Sequence, residues 1–242
     1  MKIHAFVVSW KGQHDNAAHI VAAIDKDVEA LTIVFSDPDP TLAPRASCQL
    51  VRTDNALYWG DKFSTCLKHI DMDAGTDVML VIHADCRSED WARMVQRCRQ
   101  SMGTYSQFGV WAPLVEGAGI SLGLTQTMPS EDSLSLVSYV EGLVFAVTMP
   151  VIQRMKKYDY SRNKFGWGID WAICAFVFTH NMLAVVDRSV RVMHPAGRGY
   201  DSSPAREQMA VFNQQMKPQE KVYFAIASSY IRLKRQGQAG AN

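Results

Sequence analysis

The stretch DVMLVIHADC, residues 77–86, joins an apolar run directly to a histidine and an aspartate. A short apolar run of this kind is typical of a buried strand, and His83 and Asp85 stand at its end. Both side chains are able to bind a metal ion. Each also has an ordinary structural explanation, because an aspartate after a strand often caps a turn and a single histidine is often a satisfied polar residue. The rest of the chain decides between these interpretations.

Apolar runs alternate with segments of helical periodicity along the first half of the chain. The predicted strands are IHAFVVSW, LTIVFSD, SCQLVRT and DVMLVIHAD. A helix is predicted over residues 14–24, with Asp15 or Asn16 capping its start. This alternation indicates an α/β protein with parallel strands. The second half is less regular, and its Gly- and Ser-rich segment from Glu116 to Ser135 predicts a loop or a short hairpin.

Composition narrows the class of protein. The 242 residues, 48% hydrophobic and 20% charged, fit one large α/β domain or two small ones. A net charge of +1 gives no general electrostatic reason for binding nucleic acid or an anionic membrane, so such a partner would need a local patch. The five cysteines are odd in number and never spaced C-x-x-C, which argues against disulfides and a cysteine zinc site. With neither a signal sequence nor an apolar run of ~18 residues, we expect a cytoplasmic protein without a transmembrane segment.

The segment KVYFAIASSYIRLKR near the end of the chain predicts a helix with one apolar stripe. That stripe is formed by Val222, Ile226, Tyr230 and Leu233. We expect the helix to dock on the body of the protein through these residues. The basic residues Arg232, Lys234 and Arg235 then form a solvated end, with a nucleic-acid contact as the alternative.

Unusual residues cluster at the predicted strand ends. They are Ser9, Trp10 and Lys11 after the first strand, Asp37 after the second, His83 and Asp85 after the fourth, and His194 after the last. Ligands of open α/β sheets bind at the carboxyl ends of the strands. Polar residues at four such ends therefore favour a ligand site over four unrelated caps.

Asp85 and His194 together offer one carboxylate and one imidazole. This pair suits Mn²⁺ or Mg²⁺ if phosphate oxygens and water fill the remaining positions, which implies a diphosphate substrate. In HPAGRGYD, Gly197 and Gly199 would let the backbone approach a phosphate, and Arg198 would supply hydrogen-bond donors. The chain has no Walker A sequence and no G-x-G-x-x-G after the first strand, which argues against a P-loop or a Rossmann dinucleotide site.

The segment FGWGIDWAICAF places Asp170 between Trp167 and Trp171, at the start of an apolar helix. An acid in this position could simply compensate the helix dipole. It could also be a general base in an apolar pocket, beside aromatic rings that stack on a sugar face. Gly166 and Gly168 would let the backbone turn there.

The order of these features resembles that of GT-A glycosyltransferases, especially the inverting single-domain type, over roughly residues 3–200. The shared features are a strand-end acid, a D-x-D-like motif, the segment LVFAVTMPVIQRM, the GWGxD segment and a final strand ending in histidine. The resemblance implies one GT-A-like α/β domain with a mixed, mainly parallel sheet flanked by helices. Residues 1–105 would form its Rossmann-like, nucleotide-sugar-binding half, 106–200 its acceptor-binding catalytic half, and 201–242 a helical extension.

The resemblance also implies roles for the site residues. Asp85 would bind the metal as the last residue of the D-x-D motif, His194 would complete the metal site, and Asp170 would be the catalytic base. His83 stands where the first aspartate is usual, which leaves open whether it contacts metal or ribose. Ile169 replaces a common glutamate, so one acceptor contact would be missing.

Further contacts are implied by the same resemblance. Ser9, Trp10 and Asp37 would contact the nucleoside part of the donor, Lys62 and Arg198 its diphosphate, and Trp167 and Gly168 the acceptor. Lys62 has a solvated helix lysine as its alternative.

The function implied is an inverting, metal-dependent transfer from a nucleotide-diphosphate sugar, with a UDP-sugar favoured. A glycan acceptor is favoured over the hydroxylated bases of viral DNA. Two other classes stay open. A sugar-phosphate nucleotidyltransferase would usually carry a Gly-rich basic loop after the first strand, which VVSWKGQHDN lacks. A non-catalytic carbohydrate-binding module would use the tryptophans but would give the metal pair no role.

Overall fold

The computed structural model of the chain describes residues 1–70, 75–116, 125–128, 131–195 and 200–239, with backbone alone at 125–128, 131–132 and 234–239. The strands, numbered in chain order, are β1 Ile3–Ser9, β2 Ala30–Phe35, β3 Gln49–Arg52, β4 Val78–His83, β5 Phe108–Glu116, β6 Thr125–Met128, β7 Glu131–Val137, β8 Val144–Thr148 and β9 Leu183–Met193. The helices are α1 His14–Ile24, α2 Trp59–His69, α3 Trp91–Thr104, α4 Met149–Met155, α5 Ile169–Thr179, α6 Ser202–Asn213 and α7 Pro218–Ala239.

The strands form one mixed sheet in the order β3-β2-β1-β4-β8-β5-β9-β7-β6. The first four strands of this order are parallel, β8 runs antiparallel to both β4 and β5, and β5 is parallel to β9. Strands β6 and β7 pair antiparallel, so the hairpin alternative for the Gly- and Ser-rich segment is confirmed. The α/β class and the mixed sheet predicted from the sequence are confirmed.

Helices cover both faces of the sheet because the central strands are apolar on both sides. Strand β1 is buried along its whole length. Phe6 and Val8 pack in one cluster, which includes residues of α2, α4 and α5. Ala5 and Val7 pack in the other, with residues of α1 and α3. A parallel strand covered on both faces is expected to be continuously hydrophobic, which explains the run that opens the site motif in β4.

One end of the sheet, called the shared edge below, collects the carboxyl ends of several strands. The carboxyl ends of β1, β2 and β4 lie there because these strands are parallel, and those of β5 and β9 join them because β8 reverses direction between β4 and β5. Backbone hydrogen bonds join these ends: His83 N–H donates to the Leu143 carbonyl at 3.0 Å, and His194 N–H to the Glu116 carbonyl at 2.9 Å.

The predicted cap of α1 was wrong. Gln13 occupies the N-cap position and its side chain makes no capping hydrogen bond, while Asp15 lies in the first turn. The Asn16 side chain donates instead to two backbone carbonyls after β4, those of Ala84 and Cys86. The Asn16 side chain therefore does not cap the helix. It joins α1 to the turn that carries Asp85. Helix α3 does have a capping side chain at its start, since Asp90 accepts a hydrogen bond from the backbone N–H of Arg93 at 2.8 Å.

The predicted docking face of the terminal helix was also wrong. Helix α7 packs on α5 through another face, on which Ala227 and Ile231 are buried and Phe224 contacts Trp171. The apolar stripe points away from the core: its exposed fractions are 59% for Val222, 67% for Ile226, 40% for Tyr230 and 66% for Leu233. Apolar residues occur on both faces of this helix, so periodicity alone did not identify the inner one. Among the described residues, no helix is both long and apolar enough to cross a membrane.

Candidate active site

Asp85 and His194 meet at the shared edge of the sheet. The Nε2 atom of His194 lies 3.1 Å from Oδ2 of Asp85, and both side chains are mostly buried. Burial disfavours the Asp85 carboxylate, but the hydrogen bond from His194 and the neighbouring imidazoles hold the pKa of Asp85 below its usual value. The aspartate is therefore an anion at neutral pH, as a metal ligand must be.

His83 lies beneath this pair in an aromatic setting. Its ring meets that of Trp59 edge-on at 4.3 Å between centroids, and that of Trp10 at 6.1 Å. Burial lowers the pKa of His83 to about 4, so the ring is neutral at pH 7. Its Nε2 atom is buried and has no hydrogen-bond partner among the described residues. A buried polar atom without a partner requires an explanation, and a ligand at this edge would supply one.

The donor set fits a divalent cation held jointly with a ligand. Within the described ranges, no group of three His, Cys, Asp or Glu side chains converges, so the protein alone does not form a closed cage. One carboxylate and one imidazole would leave open coordination positions on a bound Mn²⁺ or Mg²⁺. Phosphate oxygens and water are able to fill such positions. Asp85 and His194 would hold the ion, and His83, whose Nε2 atom has no partner among the described residues, stands two positions before Asp85 and is close enough to both residues to feel their charge.

Asp170 occupies the first turn of α5 and is held by three donors. Its Oδ2 accepts the hydroxyl of Tyr139, its Oδ1 accepts the backbone N–H of Trp171 at 2.8 Å, and the backbone of Gly142 also donates to it. Burial raises the pKa of Asp170 above its usual value and outweighs these hydrogen bonds. A carboxylate with a raised pKa and a fixed orientation has the properties of a general base.

The Gly142 loop connects Asp170 to the strand-end pair. Gly142 donates to Asp170, and the next residue, Leu143, accepts the backbone N–H of His83 at 3.0 Å. The start of β8 therefore lies between the first turn of α5 and the end of β4. This short backbone connection links the first turn of α5 to the strand end that carries His83.

The glycines around Asp170 shape the start of α5 as predicted. Gly166 and Gly168 have φ of +74° and +91°, values that favour glycine. A Cβ at Gly168 would lie 2.7 Å from Oδ1 of Asn213, so α6 closes over this residue. Ile169 is buried in the core, where the glutamate common at this position in the resembling family would have no water.

Trp167 joins an aromatic group that borders the site. Its Nε1–H donates to the Tyr200 hydroxyl at 2.9 Å. The Tyr200 ring lies 4.6 Å from that of Phe165, and Phe165 lies 4.9 Å from Tyr58. Tyr58 is 46% exposed, so this group reaches the surface, where aromatic faces are able to stack on a sugar. Of the predicted phosphate loop, Gly197, Arg198 and Gly199 lie outside the described residues.

The ends of β1 and β2 are joined by a buried hydrogen-bond chain. His14 Nδ1 lies 2.9 Å from Ser9 Oγ, and its Nε2 lies 3.1 Å from Asp37 Oδ2. The other oxygen of Asp37 accepts the backbone N–H of Asp39 at 2.9 Å. Ser9 is 0% exposed, which prevents this Ser-His-Asp chain from acting as a nucleophilic triad. The structure therefore joins Ser9 and Asp37 through a histidine that sequence reasoning did not single out, and their contact with a nucleoside stays a prediction.

Lys62 is a buried lysine, not a solvated one. Its ammonium donates to the Leu57 carbonyl, and its side chain lies on the face of α2 that packs against the sheet. Burial lowers its pKa to about 8, so the side chain is mostly charged at pH 7 but loses its proton readily. Trp59, at the start of the same helix, has its ring 4.3 Å from that of His83, so this end of α2 lies beside the candidate site.

Three residues that hold the site were missed by sequence reasoning: Asn16, His14 and Tyr139. Each acts through a hydrogen bond to a residue on another element. Asn16 and His14 stand in the first turn of the helix after β1, and this location at the ligand-binding edge was the one available signal. Tyr139 lies between β7 and β8 and carried no signal that distinguished it from a core tyrosine.

Comparison with known proteins gives evidence on the fold of the chain. The chain matches no protein-family model, and no curated protein matches it. Among solved structures, it is similar to GalNAc-T7 determined with UDP, GalNAc and Mn²⁺, with a TM-score of 0.61 and 12% identity over 91% of this chain and 49% of that one. The chain thus spans about half the length of GalNAc-T7.

Two further structures match less well. One is mannose-1-phosphate geranyltransferase from Thermus thermophilus, with a TM-score of 0.49 and 12% identity over 79% of this chain and 76% of that one. The other is A197 from STIV, with a TM-score of 0.46 and 9% identity over 81% of this chain and 87% of that one. The similarity to GalNAc-T7 agrees with the fold class predicted from the sequence, and the chain has a GT-A-like fold.

Proposed function

We propose that the chain is an inverting glycosyltransferase that transfers a sugar from a nucleotide-diphosphate donor, with a UDP-sugar favoured, to an acceptor hydroxyl. The observation that carries the proposal is the approach of His194 Nε2 to Asp85 Oδ2 at 3.1 Å, together with Asp170, a half-buried carboxylate whose pKa is raised. The similarity in fold to GalNAc-T7, solved with UDP and Mn²⁺, supports this use of the edge.

Asp85 and His194 would hold a divalent cation, Mn²⁺ or Mg²⁺, together with the donor diphosphate. When bound, such a cation would stabilise the negative charge of the departing nucleoside diphosphate. His83, neutral because burial lowers its pKa to about 4, would offer its unpartnered nitrogen to the metal shell or to the ribose. Lys62 would add positive charge beside the diphosphate, since a bound anion would keep it protonated.

The nucleoside would lie against the ends of β1 and β2. The buried Ser9–His14–Asp37 chain would support the floor of that pocket from within the protein, and Trp10 would form one wall. Because Asp37 is already held by His14 and by the backbone of Asp39, it would fix the shape of the pocket. Arg198 is proposed to bind phosphate on the basis of its position in the sequence.

Asp170 would take the proton from the acceptor hydroxyl. Tyr139 and the backbone donors of Gly142 and Trp171 fix its orientation. One in-line displacement at the anomeric carbon inverts its configuration, so no covalent intermediate is required. Trp167 would stack on the acceptor, and Gly168, buried at the start of α5, would set the backbone that presents Asp170. A glycan is the favoured acceptor.

The test is a panel of nucleotide sugars, each incubated with the protein and Mn²⁺ or EDTA and scored for release of nucleoside diphosphate. We expect release from one donor class with Mn²⁺ and none with EDTA. Asp170→Asn should retain donor binding but lose transfer to an added acceptor. The proposal would be contradicted if no donor were bound or cleaved in a metal-dependent way. It would also be contradicted if Asp170→Asn transferred the sugar as fast as the wild type.

A further inference from the structure

Helix α7 presents an apolar stripe to solvent although its inner face is fully packed. Val222, Ile226 and Leu233 are 59%, 67% and 66% exposed, and Tyr230 lies between the last two in sequence. The spacing of these residues keeps them on one side of the helix, over a length of about 16 Å at the α-helical rise. A stripe of large exposed side chains along one helix marks an interaction surface more strongly than scattered ones do.

Apart from Glu220, every charged residue in the sequence of α7 is basic. Lys221 and Arg232 are exposed and, eleven positions apart, they share one side of the helix. Lys234 and Arg235 follow in the same helix. The one acid in its sequence, Glu220, is 0% exposed and pairs with Arg154 at 2.7 Å. This surface is therefore cationic and apolar within a chain whose net charge is only +1.

We propose that the outer face of α7 docks on the surface of an anionic lipid bilayer. An apolar stripe with flanking lysines and arginines matches a helix that lies in the membrane interface, with its apolar side chains among the acyl chains and its cations at the headgroups. The helix would lie on the bilayer and would not cross it.

Two other occupants fit the same observations less well. A second copy of the chain would bring two cationic helices together in either orientation, and α7 offers no exposed carboxylate to pair with them. A nucleic acid would use the cations but would leave the apolar stripe in water, because phosphate contacts do not bury it.

The test is sedimentation of the full chain with vesicles of phosphatidylcholine alone, or with one third of the lipid replaced by phosphatidylglycerol. Three variants are compared, each checked for unchanged thermal unfolding. Ile226→Ser/Leu233→Ser removes apolar contact, Lys221→Gln/Arg232→Gln removes charge, and Leu42→Ser/Leu50→Ser is the matched control, since Leu42 and Leu50 are also exposed but lie outside α7.

We expect binding to the anionic vesicles alone, weakened at least tenfold by the apolar variant. The charge variant should bind about fivefold more weakly for each cation removed, with a smaller dependence on salt. The control should bind as the wild type does. Absence of binding, or equal binding to both kinds of vesicle, would overturn the proposal. If the chain forms a dimer without lipid, and Ile226→Ser/Leu233→Ser dissociates that dimer, the face binds a second copy of the chain and the proposal is wrong. If the chain binds duplex DNA, and only the charge variant loses this binding, the face binds nucleic acid and the proposal is likewise wrong.

Discussion

The Nε2 atom of His194 lies 3.1 Å from Oδ2 of Asp85, although 109 positions separate the two residues in the chain. Backbone hydrogen bonds bring them together, since Arg87 and Met193 exchange N–H···O bonds of 2.8 Å in both directions. The two side chains thus extend from segments that are joined independently of them. Replacing either should leave the other in place, which makes the pair suitable for substitution experiments.

Asn16 is expected to position Asp85 without touching a ligand. Its side chain donates to the carbonyls on either side of Asp85, those of Ala84 and Cys86. Asn16→Ala should therefore weaken Mn²⁺-dependent binding of UDP by the ~10–100-fold typical of losing a group that orients a metal ligand. Calorimetry would measure this, with Asn55→Ala, at an exposed asparagine, as the control. Equal affinity in Asn16→Ala and the control would argue against a positioning role.

Asp170→Asn keeps the shape of the side chain but is unable to accept the acceptor proton. We expect transfer to fall by about 10²–10⁴-fold while donor binding is unchanged. Coupled assays of nucleoside diphosphate release, with calorimetry of UDP, separate the two quantities. The NMR spectrum of the wild-type product should show the anomeric configuration opposite to that of the donor. Retained configuration would require another mechanism, in which Asp170 is not the base.

Tyr139→Phe should shift the pH dependence of transfer. The Tyr139 hydroxyl donates to Asp170 and lowers a pKa that burial has raised. Without this bond the pKa of Asp170 rises further. Transfer requires the carboxylate, so its rise with pH should move to higher pH, and the maximal rate should fall as orientation is lost. Tyr230→Phe, at an exposed tyrosine, should leave the profile unchanged. An unshifted profile in Tyr139→Phe would disconnect this tyrosine from the base.

Lys62 links stability to pH. Its pKa falls from 10.5 to about 8 on burial, so between these values the unfolded chain binds more protons than the folded one, and the free energy of unfolding rises with pH. The fall corresponds to about 3 kcal/mol of destabilisation below pH 8. Lys62→Met should therefore have a larger free energy of unfolding than the wild type at pH 7, by up to about 3 kcal/mol. Its free energy of unfolding should not show the increase above pH 8 that Lys62 causes in the wild type.

Denaturant unfolding at pH 7 and pH 10 measures this effect. Lys68→Met is the matched control, since Lys68 is an exposed lysine on the same helix. Lys62→Met should also bind UDP more weakly if the ammonium faces the diphosphate. A destabilised Lys62→Met with the wild-type pH dependence would show that burial does not penalise the charged lysine.

The four strands of the first half, the α/β class and the strand ends that carry the candidate site could be predicted from the sequence, whereas the order of the strands in the sheet was not predicted. Apolar runs that end abruptly in Ser9, Asp37, His83 and His194 predicted strand ends, because polar side chains are much less common inside a buried strand than at its end. The long-range hydrogen bonds of Asn16, His14 and Tyr139 were not accessible. Their partners lie on other elements, and local pattern carries no information about which distant carbonyl or carboxylate a side chain will meet.

Helix α7 shows a second limit. Periodicity correctly predicted a helix and its stripe of Val222, Ile226, Tyr230 and Leu233. It assigned the stripe to the core because the strongest apolar face of a helix usually packs inward. The packed face instead uses Ala227, Ile231 and the aromatic residue Phe224, so the choice depended on the shape of α5, which the sequence does not reveal.

The most direct test of the central claim is the affinity of UDP in the presence of Mn²⁺, measured by calorimetry for Asp85→Ala, His194→Ala and the double variant. Asp25→Ala and His19→Ala replace the same residue types at exposed positions of the α1 region and serve as controls. Each single variant at the site should lose at least the ~10–100-fold typical of disturbing a metal ligand. The double variant should lose less than the product of the single effects, because the two residues act on one ion. Metal-dependent UDP binding at wild-type affinity in both single variants would contradict the account.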